Sequence, residues 1–445
     1  MNTRAAAVKI LNSLRNNYFA YEKRIADFVG EKNFSQQDQD YIYALVKGAI
    51  QHQSFLDFII DIAVTRSAKK LEITALNLLR IGILQISIMA TPMHAAVNET
   101  VRAARQLKRL QLVPFINGVL RNLPPEEKWR EALERKDRIG QLAILHSHPE
   151  WLIRNWISVY GEANTIKLVA FNNSYTEIYF RHNPLKIEWP QLRAKLDREM
   201  AILSESELGN VRFFCVDRPG VLLKSPLFTE GACSVQDYSQ ALAVMLLNPQ
   251  PGETILDVCA APGGKTTMIA QLGSNRINLS AFDISEDKIA LIQNECRRLG
   301  IDSVTLAVAD AREAQFDMAD KILVDAPCTG TGVIARRADI RWNRRPEDIL
   351  KLNEIQTAIL ENTAGFVRPG GVLVYSTCSI QTEENDDIVA AFLGRHPEFQ
   401  IDPAENYVDR KYCDESRSMR ILPFQHNMTG GFAVRLLKKE HSDRN

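Results

Sequence analysis

The sequence predicts an α/β protein in three parts: an all-α domain over residues 1–125, a linker with a small α+β module over 126–247, and a doubly wound parallel sheet over 248–440. Three observations lead there. From Pro251 onward, short apolar runs alternate with segments of helical spacing. The first 125 residues carry helical periodicity and few strand signals, and the stretch between mixes both patterns. A chain of 445 residues is long for one domain, and 45% hydrophobic with 24% charged residues is an ordinary globular composition.

In the N-terminal part, Val8, Leu11 and Leu14 share one helical face, Tyr41, Ala44, Leu45 and Gly48 another, and Leu76, Leu79, Ile83 and Ile86 a third that ends at Pro92. Helices are expected from Ala95 to Leu107 and from Phe115 to Leu123, where Pro124 and Pro125 stop the last one. In the middle part, Pro149, Trp151 and Trp156 open a helical stretch, Glu177–Pro184 reads as a strand into a turn, Gln191–Met200 as a helix and Val211–Val216 as a strand. The C-terminal part gives strands at Thr254–Val258, Asn278–Phe282, Val304–Val308, Ile322–Val324 and Val372–Tyr375, with Ala433–Leu437 closing the sheet. Helices are expected at Lys265–Leu272, Asp287–Leu299 and Asp348–Phe366.

Lys plus Arg and Asp plus Glu balance at 54 each, so any binding of nucleic acid rests on local basic patches rather than a global field. Seven scattered cysteines without a CxxC pair argue against a zinc site or a disulfide framework. No apolar run is long enough to span a bilayer, and the N-terminus lacks the apolar core of a signal peptide; a cytoplasmic protein with reduced thiols is expected.

The strand ends carry the chemistry. ILDVCAAPGGKTT (Ile255–Thr267) is a strand, a glycine turn and a helix start, the arrangement by which a nucleotide-like ligand approaches backbone. A phosphate-binding loop would need glycine five positions before Gly264, where Cys259 stands, so an NTPase is disfavoured. Asp257, Asp283 and Asp310 lie at or just past successive strand ends and together fit an adenosine-bearing cofactor. The strand in KILVDAPCTGTG ends in Asp325 and Cys328, which first points to Cys328 as a nucleophile. Cys378, in YSTCS, ends a strand about two away on the same edge, so two thiols and Asp325 are expected to converge with the cofactor. In ARRADIRWNRR (Ala335–Arg345), five arginines surround Trp342, a composition suited to phosphate contact and base stacking on RNA.

LDVCAAPGGKTT, VDAPCTGTG with RRADIRW, and YSTCS followed by EEN together resemble the RNA cytosine-5 methyltransferases that use S-adenosylmethionine, most like the bacterial small-subunit ribosomal RNA methyltransferase B type, also called Sun or Fmu. HNPLK (His182–Lys186) and SVQDYSQ (Ser234–Gln240) are similar to that family's pre-catalytic segment. PMHAAVNETV (Pro92–Val101) and FINGVLRNL (Phe115–Leu123) resemble the subgroup's NusB-like RNA-binding domain, so the resemblance covers nearly the whole chain.

This resemblance implies a Rossmann-like methyltransferase sheet and a role for each site residue. Cys378 would add to carbon 6 of cytosine, Asp325 would bond the base edge at N3 and the exocyclic amine, and Cys328 would assist release of the carbon-5 proton. Lys265 would be a cation near the thiolate. Cys259, Ala260, Ala261, Pro262, Gly263, Gly264 and Lys265 would wrap the methionine and ribose of S-adenosylmethionine, with Asp325 among the cofactor's neighbours. Asp283 would take the ribose hydroxyls and Asp310 would lie by the adenine. The implied partner is small-subunit ribosomal RNA, bound by a monomer without metal or membrane, with the target base unstacked. Two departures stand out: the loop reads CTGTG where relatives often have a serine and alanine, and Ala433 replaces a common second aromatic. The rival reading is an RNA-binding assembly factor with a vestigial sheet, against which the joint presence of Asp325, Cys328 and Cys378 argues.

Overall fold

The computed structural model describes residues 1–440 except 16, 20, 65, 66 and 175. The chain forms two compact units, one of Met1–Ser174 with Ile334–Arg345, the other of Tyr175–Val333 with Pro346–Asn445. The first is helical and runs past the expected boundary near residue 125, taking in helices Glu126–Glu134, Arg138–Leu145, Glu150–Tyr160 and Glu162–Asn172.

Its central element is the helix Ile73–Ser87, whose residues from Thr74 to Gln85 are all buried. Thr3–Leu14, Gln36–Gln51, Met93–Gln106 and Val113–Arg121 pack with it through Leu11, Leu45, Val97 and Leu120. Gly82 permits one close approach, because a Cβ there would sit 2.6 Å from Leu120 Cδ1. Side chains of Asn2 and Ser35 accept the backbone N–H of Ala5 and Asp38, which fixes where two of these helices begin.

The second unit holds two sheets. Phe180–His182 (β1), Ile202–Leu208 (β2), Val211–Val216 (β3) and Cys233–Val235 (β4) form a small antiparallel sheet in the order β2-β3-β1-β4. The larger sheet comprises Thr254–Val258 (β5), Asn278–Asp283 (β6), Val304–Val308 (β7), Ala319–Asp325 (β8), Val367–Thr377 (β9), Phe399–Asp402 (β10), Met419–Ile421 (β11) and Gly431–Lys438 (β12). Its order is β10-β12-β9-β8-β5-β6-β7, with β11 paired to β12. The five strands β5 to β9 run parallel, whereas β10, β11 and β12 join antiparallel.

Both faces of the parallel part are covered, as its apolar runs require. Alternate residues go to opposite sides: Ile255, Leu323 and Val374 pack with Leu242, Met268 and Ile292 from the helices Tyr238–Leu247, Gly264–Leu272 and Glu286–Leu299. Leu256, Ile322, Val324 and Tyr375 pack on the other face with Ile359 and Phe392, from the helices Pro346–Ala364 and Asp386–Arg395. The chain builds outward from β5 to β7, then returns to β8 on the opposite side of β5. The crevice at the carboxyl ends of β5 and β8 is therefore the switch point, where such sheets bind ligands.

Candidate active site

The turn after β5 is shaped by positive backbone angles at Cys259 (φ 62°) and Gly263 (φ 100°). Gly263 takes a backbone conformation that favours glycine, and its surroundings are tight as well, a Cβ there lying 3.1 Å from Ile292 Cγ2. Cys259 is a non-glycine residue in the left-handed region, strain of the kind that collects at functional sites. The turn is tied to β6: Ala260 donates its N–H to Phe282 O at 2.9 Å and Ala261 donates to Asp283 Oδ2 at 2.9 Å. Asp283 Oδ1 accepts from the N–H of Ile284 at 2.7 Å and from Lys288 Nζ at 2.9 Å.

Lys265, in the first turn of the following helix, is nearly buried and donates from Nζ to Asp325 Oδ2 at 2.6 Å and to Gln240 Oε1 at 2.8 Å. Asp325 Oδ1 accepts from Ser376 Oγ at 2.9 Å, and these two residues are register partners across β8 and β9. Those strands are neighbours, where the sequence reading separated the two thiols by about two strands. Cys328 and Cys378 consequently meet, with their sulfur atoms 3.3 Å apart.

The two thiols have different surroundings. The Cys378 thiol is held below the ordinary thiol value, first by the hydrogen bond from Cys328 and then by the Lys265 cation, against burial and the Asp325 carboxylate. Cys328 is pushed well above it by its hydrogen bond to Cys378, by burial, and by the Glu384 and Asp325 charges. The two thiols titrate as a pair, and their surroundings favour Cys378 as the one that ionises first.

A cavity of about 440 Å³ is lined by Cys259, Ala261, Asp283, Asp310, Asp325, Cys328 and Cys378, together with Ile284, Ala311, Ile355 and Ile359. Every acid and both thiols expected at the site reach it, apart from Asp257. Ala260, Pro262, Gly263 and Gly264 form the turn that carries Cys259 and Ala261, while Lys265 acts on the site through Asp325. Asp310 is engaged by Arg312 Nε at 2.9 and 3.1 Å, which holds its carboxyl below the usual carboxylate range.

Two expectations are corrected. Asp257 does not face the cavity; it is fully buried, accepts from Thr266 Oγ1 at 2.6 Å, and burial pushes it up to about 7. Its Oδ1 is among the buried side-chain atoms left without a hydrogen bond. The arginine-rich stretch is not an exposed RNA-contacting loop at its centre: Arg341 has 0% exposure and donates to Gln51 O, Ser147 O, Asn172 O and Asn173 Oδ1 at 3.0, 3.1, 3.1 and 2.8 Å. Trp342 is half-buried and gives its indole N–H to Ile50 O at 2.6 Å. All of these partners belong to the helical unit, so the segment is one of its structural elements.

Sequence reasoning also missed residues that hold the site together. Gln240 and Ser376 stand inside recognised motifs, SVQDYSQ and YSTCS, yet only the fold reveals what they bond. Glu384, in EEN, bonds Thr329 and Ser379, the residues that follow the two cysteines. Among the described residues, no group of His, Cys, Asp and Glu is arranged to hold a metal ion, and no helix is long and apolar enough to cross a membrane.

Comparison with known proteins bears on this geometry. Residues 244–437 match the family model described as 16S rRNA methyltransferase RsmB/F, and residues 1–124 match the NusB family. The chain is 32% identical over 448 residues to the probable ribosomal RNA small subunit methyltransferase B of Bacillus subtilis, covering 98% of this chain and 99% of that protein. It is 34% identical to the ribosomal RNA small subunit methyltransferase B of Shewanella oneidensis, over 82% of each chain. The crystal structure of PH0851 superposes with a TM-score of 0.80 at 24% identity, over 98% of this chain and 99% of that one, a likeness of fold.

Proposed function

Because the chain belongs to the family of ribosomal RNA small subunit methyltransferases B, we propose that it transfers a methyl group from S-adenosylmethionine to carbon 5 of a cytosine in small-subunit ribosomal RNA. The observation that carries this reading is the meeting of Cys378 and Cys328 at 3.3 Å on the cavity that also contains Asp325.

The residues around the cavity fit S-adenosylmethionine. Its volume lies within the roughly 300–1,000 Å³ of small-molecule sites. Ile284, Ile355 and Ile359 offer an apolar wall for a purine, and the Asp283 carboxylate, fixed at the tip of β6, suits ribose hydroxyls. When bound, the cofactor supplies an electrophilic methyl group.

Carbon 5 of cytosine is a weak nucleophile until a thiolate adds at carbon 6. Cys378 is the thiol whose surroundings favour that form, and its addition gives carbon 5 the electron density of an enamine. Asp325, oriented by Lys265 and Ser376, lies against the base edge, where its carboxylate accepts from the exocyclic amine and from N3 once that nitrogen takes a proton from solvent as sulfur adds. Once carbon 5 carries the methyl group and Cys378 is a thioether, Cys328, having given its own proton to solvent, takes the carbon-5 proton, and the bond from carbon 6 to Cys378 breaks with its electron pair returning to sulfur. The base has to leave its stack to reach this cavity, which favours an unpaired or opened RNA segment.

Two substitutions test the division of labour in a methyl-transfer assay on ribosomal RNA. Cys378→Ala gives neither methylated product nor a covalent protein–RNA adduct. Cys328→Ala accumulates an adduct stable to denaturant, because addition proceeds and release stalls. An adduct formed by Cys378→Ala would exclude the assignment.

A further inference from the structure

We propose that Glu384 is a positioning residue that sets the separation of the two active-site thiols, an inference that rests on the roles given above to Cys378 and Cys328. Its carboxylate has 0% exposure, and no cation pairs with it among the described residues. All its partners are neutral donors. Oε1 accepts the backbone N–H of Thr329 at 2.7 Å and Gln356 Nε2 at 3.1 Å; Oε2 accepts Ser379 Oγ at 2.5 Å and also the hydroxyl of Thr329. Four donors meet the four lone-pair directions of a carboxylate, which offsets the loss of water around a buried charge.

The placement of those donors suggests the role. Thr329 follows Cys328 and Ser379 follows Cys378, so one carboxylate grips the residue after each cysteine. The residues before the cysteines are held nearby. Gln356, already bonded to Glu384, donates to Pro327 O at 2.9 Å, while Thr377 Oγ1 donates to Asn385 Oδ1 at 2.7 Å. Asn385 also donates to Ser379 O at 3.1 Å, and Tyr375 donates its hydroxyl to Glu384 O at 2.7 Å. The loops after β8 and β9 are thus held on both sides of each thiol, and they also meet directly, Ser379 Oγ lying 3.2 Å from Thr329 Oγ1 and 3.1 Å from Thr331 Oγ1 and Gly332 donating its N–H to Cys378 O at 3.0 Å; Glu384 is the one carboxylate in this set. Glutamine would keep the volume but lose the charge that strengthens all four bonds, and alanine would remove the clamp.

The test separates spacing from chemistry. Diamide joins two neighbouring thiols into a disulfide and takes up their two hydrogens as the hydrazine; because the Glu384 charge also raises both thiols, its rate with Cys328 and Cys378 is followed across pH and compared at the plateau where the attacking thiol is fully ionised, which reports how well the pair is aligned. In the full-length protein, mass spectrometry of alkylated peptides follows this pair separately from the other cysteines. Glu384→Gln is expected to slow disulfide formation by about tenfold and Glu384→Ala by more. The turnover number should fall by up to about 10²-fold in the same order, while S-adenosylmethionine affinity and thermal midpoint in the Gln variant stay near wild type. If the Ala variant does not fold, the isosteric Gln variant carries the test. A wild-type oxidation rate in Glu384→Gln overturns the clamp, whatever happens to turnover. Slowed oxidation with unchanged methyl transfer supports the clamp and counts instead against the roles given to the two cysteines.

Discussion

At Cys378, four charged or polar neighbours and burial decide whether the sulfur is a nucleophile: the Cys328 thiol and Lys265 favour the thiolate, while burial, Asp325 and Glu384 oppose it. Removing the cation by Lys265→Met should raise the Cys378 pKa, so the rising limb of the pH–rate profile for methyl transfer moves to higher pH; an unmoved limb would show that Lys265 does not act on the sulfur. Asp257 carries a separate dependence on pH. Its folded pKa, about 7, lies above that of an unfolded aspartate, so its contribution is present in acid and is lost as pH rises through that value. Urea unfolding of Asp257→Asn should therefore show less loss of stability from pH 4 to pH 7 than wild type, a difference on the order of a few kcal/mol. Parallel curves for the two proteins would mean that the buried carboxyl titrates normally.

Among the elements, Ile334–Arg345 misleads at its centre, where Arg341 is buried while Arg337 and Arg345 stay exposed. Five arginines and a tryptophan read as an RNA-binding loop, because composition cannot tell a guanidinium that meets phosphate from one that meets backbone carbonyls. In the fold, Arg341 is desolvated to the point that its pKa falls to about 9, and it satisfies carbonyls at three separate places in the helical unit, Gln51, Ser147 and Asn172. Arg341→Ala should destabilise that unit by about 3 kcal/mol, seen as a lower urea midpoint; weaker RNA binding with an unchanged midpoint would restore the loop reading. The edge strand β2 was missed for a different reason. Its sequence, ILSESEL, is largely solvated and lacks the β-branched signal, and it is specified by pairing with β3 across Gly209. By contrast, β5, β8 and β9 are legible because strands buried on both faces have to be continuous apolar runs, whereas β6 and the half-exposed edge strand β7 are legible from their alternation.

At the scale of the whole molecule, what could be read was the order of elements and the strand ends that carry Asp283, Asp325, Cys328 and Cys378; what could not was adjacency. That β8 lies between β5 and β9 follows from the switch in winding direction, and this alone brings Lys265, Asp325 and the thiols together. The bonds from Glu384 and Gln240 span 55 and 25 residues of sequence, distances at which no local pattern applies. Lysine plus arginine equals aspartate plus glutamate across the chain, so under the proposed function recognition of RNA falls to local surfaces and to this cavity. The most direct test is to incubate the protein with small-subunit ribosomal RNA and S-adenosylmethionine labelled in its methyl group, digest the RNA to nucleosides, and identify the labelled one. The account predicts 5-methylcytidine, abolished by Cys378→Ala; label on any other atom, or 5-methylcytidine still formed by that variant, would contradict it.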